Sequence, residues 1–220
     1  MDVSDLRVAV YLAAALLVGM IVREYARASV AGSLGDPTPR LWGRRTMSPK
    51  SWFDPFGSGV VPGLILALWA AGASFLPPPA AYGKPAPVDP SYLKRPVRDQ
   101  VLIGLSGPLS NIALGVLAGL LVRSTGSTTS VELFRALLAF EFTQLCLAIF
   151  HLLPIPGLDG GRLVGLALKG DAARVFREAD KYLPLFVLLA LFVIAGVVQA
   201  IVYGLVDAVC RLVSGFPCTP

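Results

Sequence analysis

The chain has 220 residues, of which 55% are hydrophobic and only 15% charged. A soluble domain carries about 25% charge, so this composition excludes an ordinary soluble fold and points to a membrane protein. The formal net charge of +5 is not gathered into a Lys/Arg block with interleaved aromatics, which argues against a nucleic-acid partner and fits basic loops on one side of a bilayer.

The first apolar run, Val8 to Val22, begins close to the start of the chain, with no basic leader and no small-residue cleavage site before a mature domain. It reads as a retained span and not a signal peptide. It ends in "IVREYARASV", residues 21–30, which places Arg23, Glu24 and Arg27 where a membrane helix should still be apolar. Arg23 and Arg27 are i and i+4, on one helix face, and Arg23 stands roughly 22 Å from Val8 by helical rise. The arginines either snorkel to the interface, as arginines near helix ends do, or belong to a buried site.

Four further apolar stretches follow: Gly57 to Leu76, Val101 to Val122, Leu133 to Pro154 and Leu183 to Val209. A span needs about 20 residues. The 57–76 stretch contains Pro62, Gly63 and Gly72 and is the least secure helix. Pro108 and Asn111 are expected to start and brace the next helix, and Gly115 and Gly119 form a G-x-x-x-G suited to close intramolecular packing. The 133–154 stretch carries Cys146 and the chain's one histidine, His151, and leads into "HLLPIPGLDGGRL" with Asp159. Asp159 with the two glycines after it also suits a simple turn.

Sidedness follows from Lys and Arg in the connections. Segments 31–56, 77–98 and 160–182 are basic, whereas 123–131 carries only Arg123. If every apolar stretch crosses once, the basic loops alternate sides. If 57–76 dips in and returns, all three basic segments fall on one side. The second solution predicts four crossings, a re-entrant element, and both termini external. It also brings Asp159 to the same inner side as Arg23, Glu24 and Arg27.

Four motifs then stand in order: "VREYARASVAGSLGDPTPRLWGRRTMSPKSWFDPFG", "YGKPAPVDP", "SGPLSN" (Ser106 to Asn111) and "FHLLPIPGLDGGRL". Together they resemble site-2 proteases, intramembrane zinc metalloproteases, of the compact bacterial type without an inserted PDZ domain. The resemblance covers about residues 7–165. It implies an all-α polytopic helical membrane protein, a single membrane domain over 1–220 with a C-terminal transmembrane helix at about 183–210, and residence in a bacterial cytoplasmic membrane. In the family the first motif begins at H-E-x-x-H, whose histidines bind zinc while the glutamate activates water, and the aspartate of the last motif is the third ligand.

The departures fall on the chemistry. Arg23 and Arg27 stand at both histidine positions; only Glu24 and Asp159 remain. A guanidinium has no lone pair to give a metal and is cationic at any cellular pH. His151 replaces the family's asparagine, and Trp52 stands where many relatives have another histidine. His151 and Cys146 are five residues apart on different faces of a helix, Cys210 and Cys218 lie at the far end of the chain, and no CxxC pair or disulfide framework is apparent. No cofactor and no metal are therefore expected, and His151 reads as an interior histidine. Two arginines facing two carboxylates sum to zero charge, as zinc, two neutral histidines and two carboxylates do. An arginine–carboxylate cluster is thus expected to tie the first helix to the Asp159 loop. The expected function is that of a catalytically inactive homologue, binding a transmembrane partner as adaptor, accessory subunit or regulator. A metalloprotease with a non-standard site and a small transporter remain the alternatives.

Overall fold

The structure, a computed structural model, describes residues 3–73, 75–125 and 130–218. Its helices are α1 (Val3–Ser33), the single turns α2 (Thr38–Leu41) and α3 (Pro49–Trp52), α4 (Val61–Ala70), α5 (Pro96–Thr125), α6 (Val131–Leu152), α7 (Asp159–Ala167), α8 (Gly170–Glu178), α9 (Leu183–Leu188) and α10 (Ala195–Val213). Among the described residues there is no strand. Four helices are long and apolar enough to cross a bilayer: Leu6–Ser33, Pro96–Thr125, Val131–Leu152 and Ala195–Val213. The protein is an all-α polytopic membrane protein.

Ion pairs and hydrogen bonds mark the two ends of the bundle. At one end Arg7 pairs with Glu132 at 2.8 Å, Tyr11 donates to Glu132 at 2.6 Å, and Arg123 donates to the carbonyl of Leu212 at 3.3 Å. The start of α1, the start of α6 and the ends of α5 and α10 therefore share one side, so α1 and α6 run in the same direction and α5 against both. Small residues set the spacing. A Cβ on Gly115 would lie 3.1 Å from Leu145 of α6, so the G-x-x-x-G packs within the chain. The core is apolar: Leu12, Phe142, Leu145, Val202 and Val206 form one buried cluster.

The 57–76 stretch turns back. Residues 55–60 form a π-helical turn that continues into α4, and Asp54 caps its start by accepting from the amides of Phe56 and Gly57 at 3.1 and 2.7 Å. The chain then returns extended, and the amides of Tyr82 and Lys84 reach the carbonyls of Gly57 and Trp52 at 3.0 and 2.9 Å. Both feet of the hairpin thus sit at one level. Its tip is held by Gln199 and Tyr203, which donate to the carbonyl of Leu76 at 3.0 and 2.7 Å. Tyr203 also packs, with its ring tilted, against Phe142 at 5.7 Å, roughly 16 Å along α6 from Val131 by helical rise, so the tip lies near mid-bilayer. An extended arm in hydrocarbon must satisfy its own backbone. Pro77, Pro78 and Pro79 have no N–H to satisfy, and all three are buried.

α1 carries Arg23 and Arg27 on one face as the sequence implies, continues to Ser33 and stops at Gly35, whose φ of +107° favours glycine; its arginines and glutamate are good helix formers and their charges are paired. Three expectations need correction. Pro108 and Asn111 do not start a helix: α5 begins at Pro96 and Pro108 lies inside it. Ser106 and Ser110 donate to the carbonyls of Ile103 and Gly107, both at 2.7 Å, adding hydrogen bonds around the interrupted turn. The predicted C-terminal helix is broken. A π-turn over 189–193, closed by the Ile194 amide on the Leu189 carbonyl at 2.9 Å, separates α9 from α10. The break lets Val187 and Leu191 pack on Ile65 and Phe150 while Val202 and Val206 pack on Leu12 and Phe142. Finally, Cys210 and Cys218 form a disulfide, Cα to Cα 5.9 Å; it bridges the end of α10 and the tail beyond it, a proximity that only the turn after Val213 creates.

Cysteines introduced by Arg45→Cys and Lys94→Cys should both react with a membrane-impermeant maleimide from the same side. The native Cys146 is buried, so it gives little background. Labelling from opposite sides would mean that 57–76 crosses the membrane once.

Candidate functional site

The end of the bundle away from the Arg7–Glu132 pair buries four charged side chains. Arg23 and Arg27 are each 4% exposed, Glu24 and Asp159 each 1%. Arg23 bridges both carboxylates, donating from Nη1 to Glu24 and from Nη2 to Asp159. Arg27 Nη1 lies 3.1 Å from Asp159 Oδ1 and 3.9 Å from Glu24 Oε2. The snorkelling alternative fails here, because neither guanidinium reaches the surface.

The local sequence explains how Asp159 arrives. α6 ends at Leu152, and "LPIPG" turns the chain through two prolines and Gly157, whose φ is +88°. Asp159 opens α7, and Gly160 and Gly161 press against the carbonyls of Leu152, Leu153 and Ile155, where no Cβ fits. On the facing helix α5, a Cβ at Gly107 would lie 2.9 Å from Arg23 Cγ and 3.1 Å from Arg27 Cδ. Glycine there gives the arginine stems their room.

His151 is 1% exposed; its Nδ1–H donates to the Leu147 carbonyl at 2.9 Å, while Nε2 has no partner among the described residues. It lines a cavity of about 600 Å³ with Arg23, Glu24, Tyr82 and Lys84, so the structure brings His151 to the cluster. Asn111 is fully buried, one turn beyond Gly107 on α5, and neither atom of its amide has a partner among the described residues. Pro108 lies beside Gly107 in the same helix.

Sequence reasoning missed Arg162. It follows Asp159 by three residues on α7, the i+3 spacing that puts both on one face, and that spacing was the available signal. It makes no ion pair or hydrogen bond among the described residues, and burial, followed by the nearby Arg27, pulls its guanidinium down to about 10. For Asp159, burial alone would raise the carboxyl, but Arg23 and Arg27 outweigh it and hold it below the ordinary carboxylate range. The cationic side of the site is therefore larger than the two arginines of the sequence count.

A zinc ion does not fit these residues. Catalytic zinc takes about three protein ligands, and here both carboxylates are engaged by guanidiniums that offer no lone pair. Among the described residues, the one group of His, Cys, Asp and Glu side chains close enough to share an ion is Glu141 with Cys210 and Cys218. It lies at the opposite end of the bundle, and its two sulfurs are bonded to each other.

The chain is similar to two curated bacterial proteins described by their names as candidate zinc metalloproteases. With YwhC of Bacillus subtilis it shares 30% identity over 193 residues, 83% of this chain and 80% of that protein. With Rip2 of Mycobacterium tuberculosis it shares 30% identity over 194 residues, 87% of this chain and 71% of that protein. No family model matches the chain, and no solved structure does.

Asp159→Ala should destabilise the protein by about 3–5 kcal/mol in detergent unfolding, because it leaves buried guanidiniums without a counter-charge. Adding Arg27→Ala should recover part of that loss; a neutral Asp159→Ala would contradict the cluster's structural role. The Asp159 carboxyl is held low in the folded state, so its stabilisation is present above the unfolded value of about 3.9 and lost as pH falls toward the folded one. The stability gap between the native chain and Asp159→Asn should be flat from neutral pH to about pH 5 and shrink below about pH 4.

Proposed function

The chain belongs to the site-2 protease family of membrane zinc metalloproteases, and from that premise we propose that it is a non-hydrolytic member, binding a transmembrane partner as an adaptor, accessory subunit or regulator. The observation that carries this reading is the pair Arg23 and Arg27, at the positions of the family's zinc-binding histidines, closed onto Glu24 and Asp159. A metalloprotease needs Glu24 free to take a proton from a metal-bound water and Asp159 free to hold the metal. Both are spent on guanidiniums, and the cationic cluster repels a divalent ion.

An apolar groove supports the client part of this reading. A groove of about 380 Å³ runs between α1 and the re-entrant hairpin, lined by Leu17, Ile21, Phe53, Pro62, Gly63 and Leu66. Leu17 and Phe53 are 53% and 51% exposed. The groove carries no charged side chain, which suits an apolar transmembrane segment, and Gly63 on its wall allows close backbone approach. In this reading the protein sits in a bacterial cytoplasmic membrane, with the basic segments on the cytoplasmic side; the bacterial origin of both relatives and the positive-inside rule support it.

The purified native chain should hold less than about a tenth of a zinc ion per molecule, whereas Arg23→His combined with Arg27→His should take up about one, because two carboxylates are already in place. Stoichiometric zinc in the native chain, lost on Asp159→Ala, would overturn the reading. In intact membranes, a photo-crosslinking residue replacing Leu17 should capture one protein through its apolar span, and the same residue replacing Leu120 on α5 should not.

A further inference from the structure

A second cavity, of about 510 Å³, opens behind the charge cluster, between the second turn of α5, α7, the C-terminal end of α8 and the loop around Pro85 to Val88. Three arginines line it: Arg27, Arg162 and Arg177. Arg27 is nine-tenths buried, and its Nε has no partner among the described residues. Arg162 and Arg177 form no ion pair or hydrogen bond among the described residues. Asp180 is the one acidic side chain on the wall; its charge favours the Arg162 guanidinium, but it forms no ion pair with any of the three among the described residues. A pocket with three guanidiniums against one carboxylate has the electrostatic character of an anion site.

The rest of the wall is apolar. Ile103, Leu166 and Phe176 face the same space. Its depth is set by α5: Ile103 lies seven residues after Pro96, roughly 10 Å along the helix, at the boundary between headgroups and acyl chains. Val97 and Leu102 on this stretch of α5 are 63% and 40% exposed, which suits contact with lipid. α8, "GDAARVFRE", is amphipathic, with Arg174 and Arg177 exposed on it and Val175 62% exposed. A short helix of that pattern lies in the plane of an interface. Basic pockets between helices at this level take anionic lipid headgroups.

We propose that this cavity binds an anionic phospholipid, its phosphate between Arg162 and Arg177 and its acyl chains along Ile103, Leu166 and Phe176. Asp180 and Gln100, also on the wall, are placed to accept from and donate to headgroup hydroxyls, which a choline headgroup lacks. A bound headgroup would also offset the surplus positive charge beside Asp159. Lipid composition would then act on the same cluster that joins α1 to α7.

The test uses the full chain in a neutral detergent, titrated with dihexanoyl phosphatidylglycerol, dihexanoyl phosphatidylcholine or inorganic phosphate and read by native mass spectrometry. Phosphatidylglycerol should be retained over phosphatidylcholine, and Arg162→Gln and Arg177→Gln should each lower its retention roughly fivefold. Arg45→Gln, a basic residue outside the cavity, should leave it unchanged. Arg177 is exposed, so its variant should keep the native melting temperature, separating lost binding from lost folding. Equal retention of the two lipids, or retention unaffected by both variants, would overturn the proposal. Displacement of phosphatidylglycerol by inorganic phosphate at comparable concentration would assign the site to a soluble anion and overturn the lipid assignment.

Discussion

Four charges buried at one end of a helical bundle govern how this protein is assembled. Arg23, Glu24 and Arg27 lie on α1, and Asp159 opens α7, 136 residues from Arg23 along the chain. Leaving any one of them unpaired in a low-dielectric interior is costly, so α7 must present its carboxylate at that depth. The prolines and glycines between α6 and α7, and the missing side chain at Gly107, all serve that approach. Each brings backbone or arginine stem closer than any larger residue allows.

The re-entrant hairpin answers a different constraint. Half of it is helical and satisfies its own backbone; the other half is extended and in hydrocarbon would expose amides and carbonyls. The return arm escapes this by three consecutive prolines, by hydrogen bonds at its foot to Trp52 and Gly57, and by side chains of α10 at its tip. The hairpin keeps the basic segments on one side of the membrane. It also forms, with α1, the apolar groove lined by Leu17, Ile21, Phe53 and Pro62.

In the proposed reading, the arginine cluster replaces the family's coordination bond with ion pairs. Both hold α1 and the aspartate loop together, but only the metal also activates water. In the proposed reading the structural half of that role is retained and the chemical half is given up. The neighbouring Arg162 and Arg177, with Asp180 as the one further carboxylate beside them, leave the neighbourhood net positive once it is counted whole. The surplus points outward, into the cavity between α5, α7 and α8.

The sequence by itself determined the membrane class, the apolar stretches, the same-side placement of the basic segments and the family motifs, because hydropathy, loop charge and motif residues are local properties. It also indicated that Arg23 and Arg27 needed counter-charges and which carboxylates stood at matching depth. What only the tertiary structure decided depends on residues distant in sequence. Pro108 reads as a helix start in the sequence, yet packing and nearby hydroxyl bonds carry α5 through it. The apolar run 183–209 reads as one helix, yet two separate packing surfaces break it at Ile194. Cys210 and Cys218 are too few to announce a framework, and the turn after α10 brings them together. Arg162 shares a face with Asp159 by spacing alone, but its lack of a partner is a property of everything packed around it, and no local pattern encodes that.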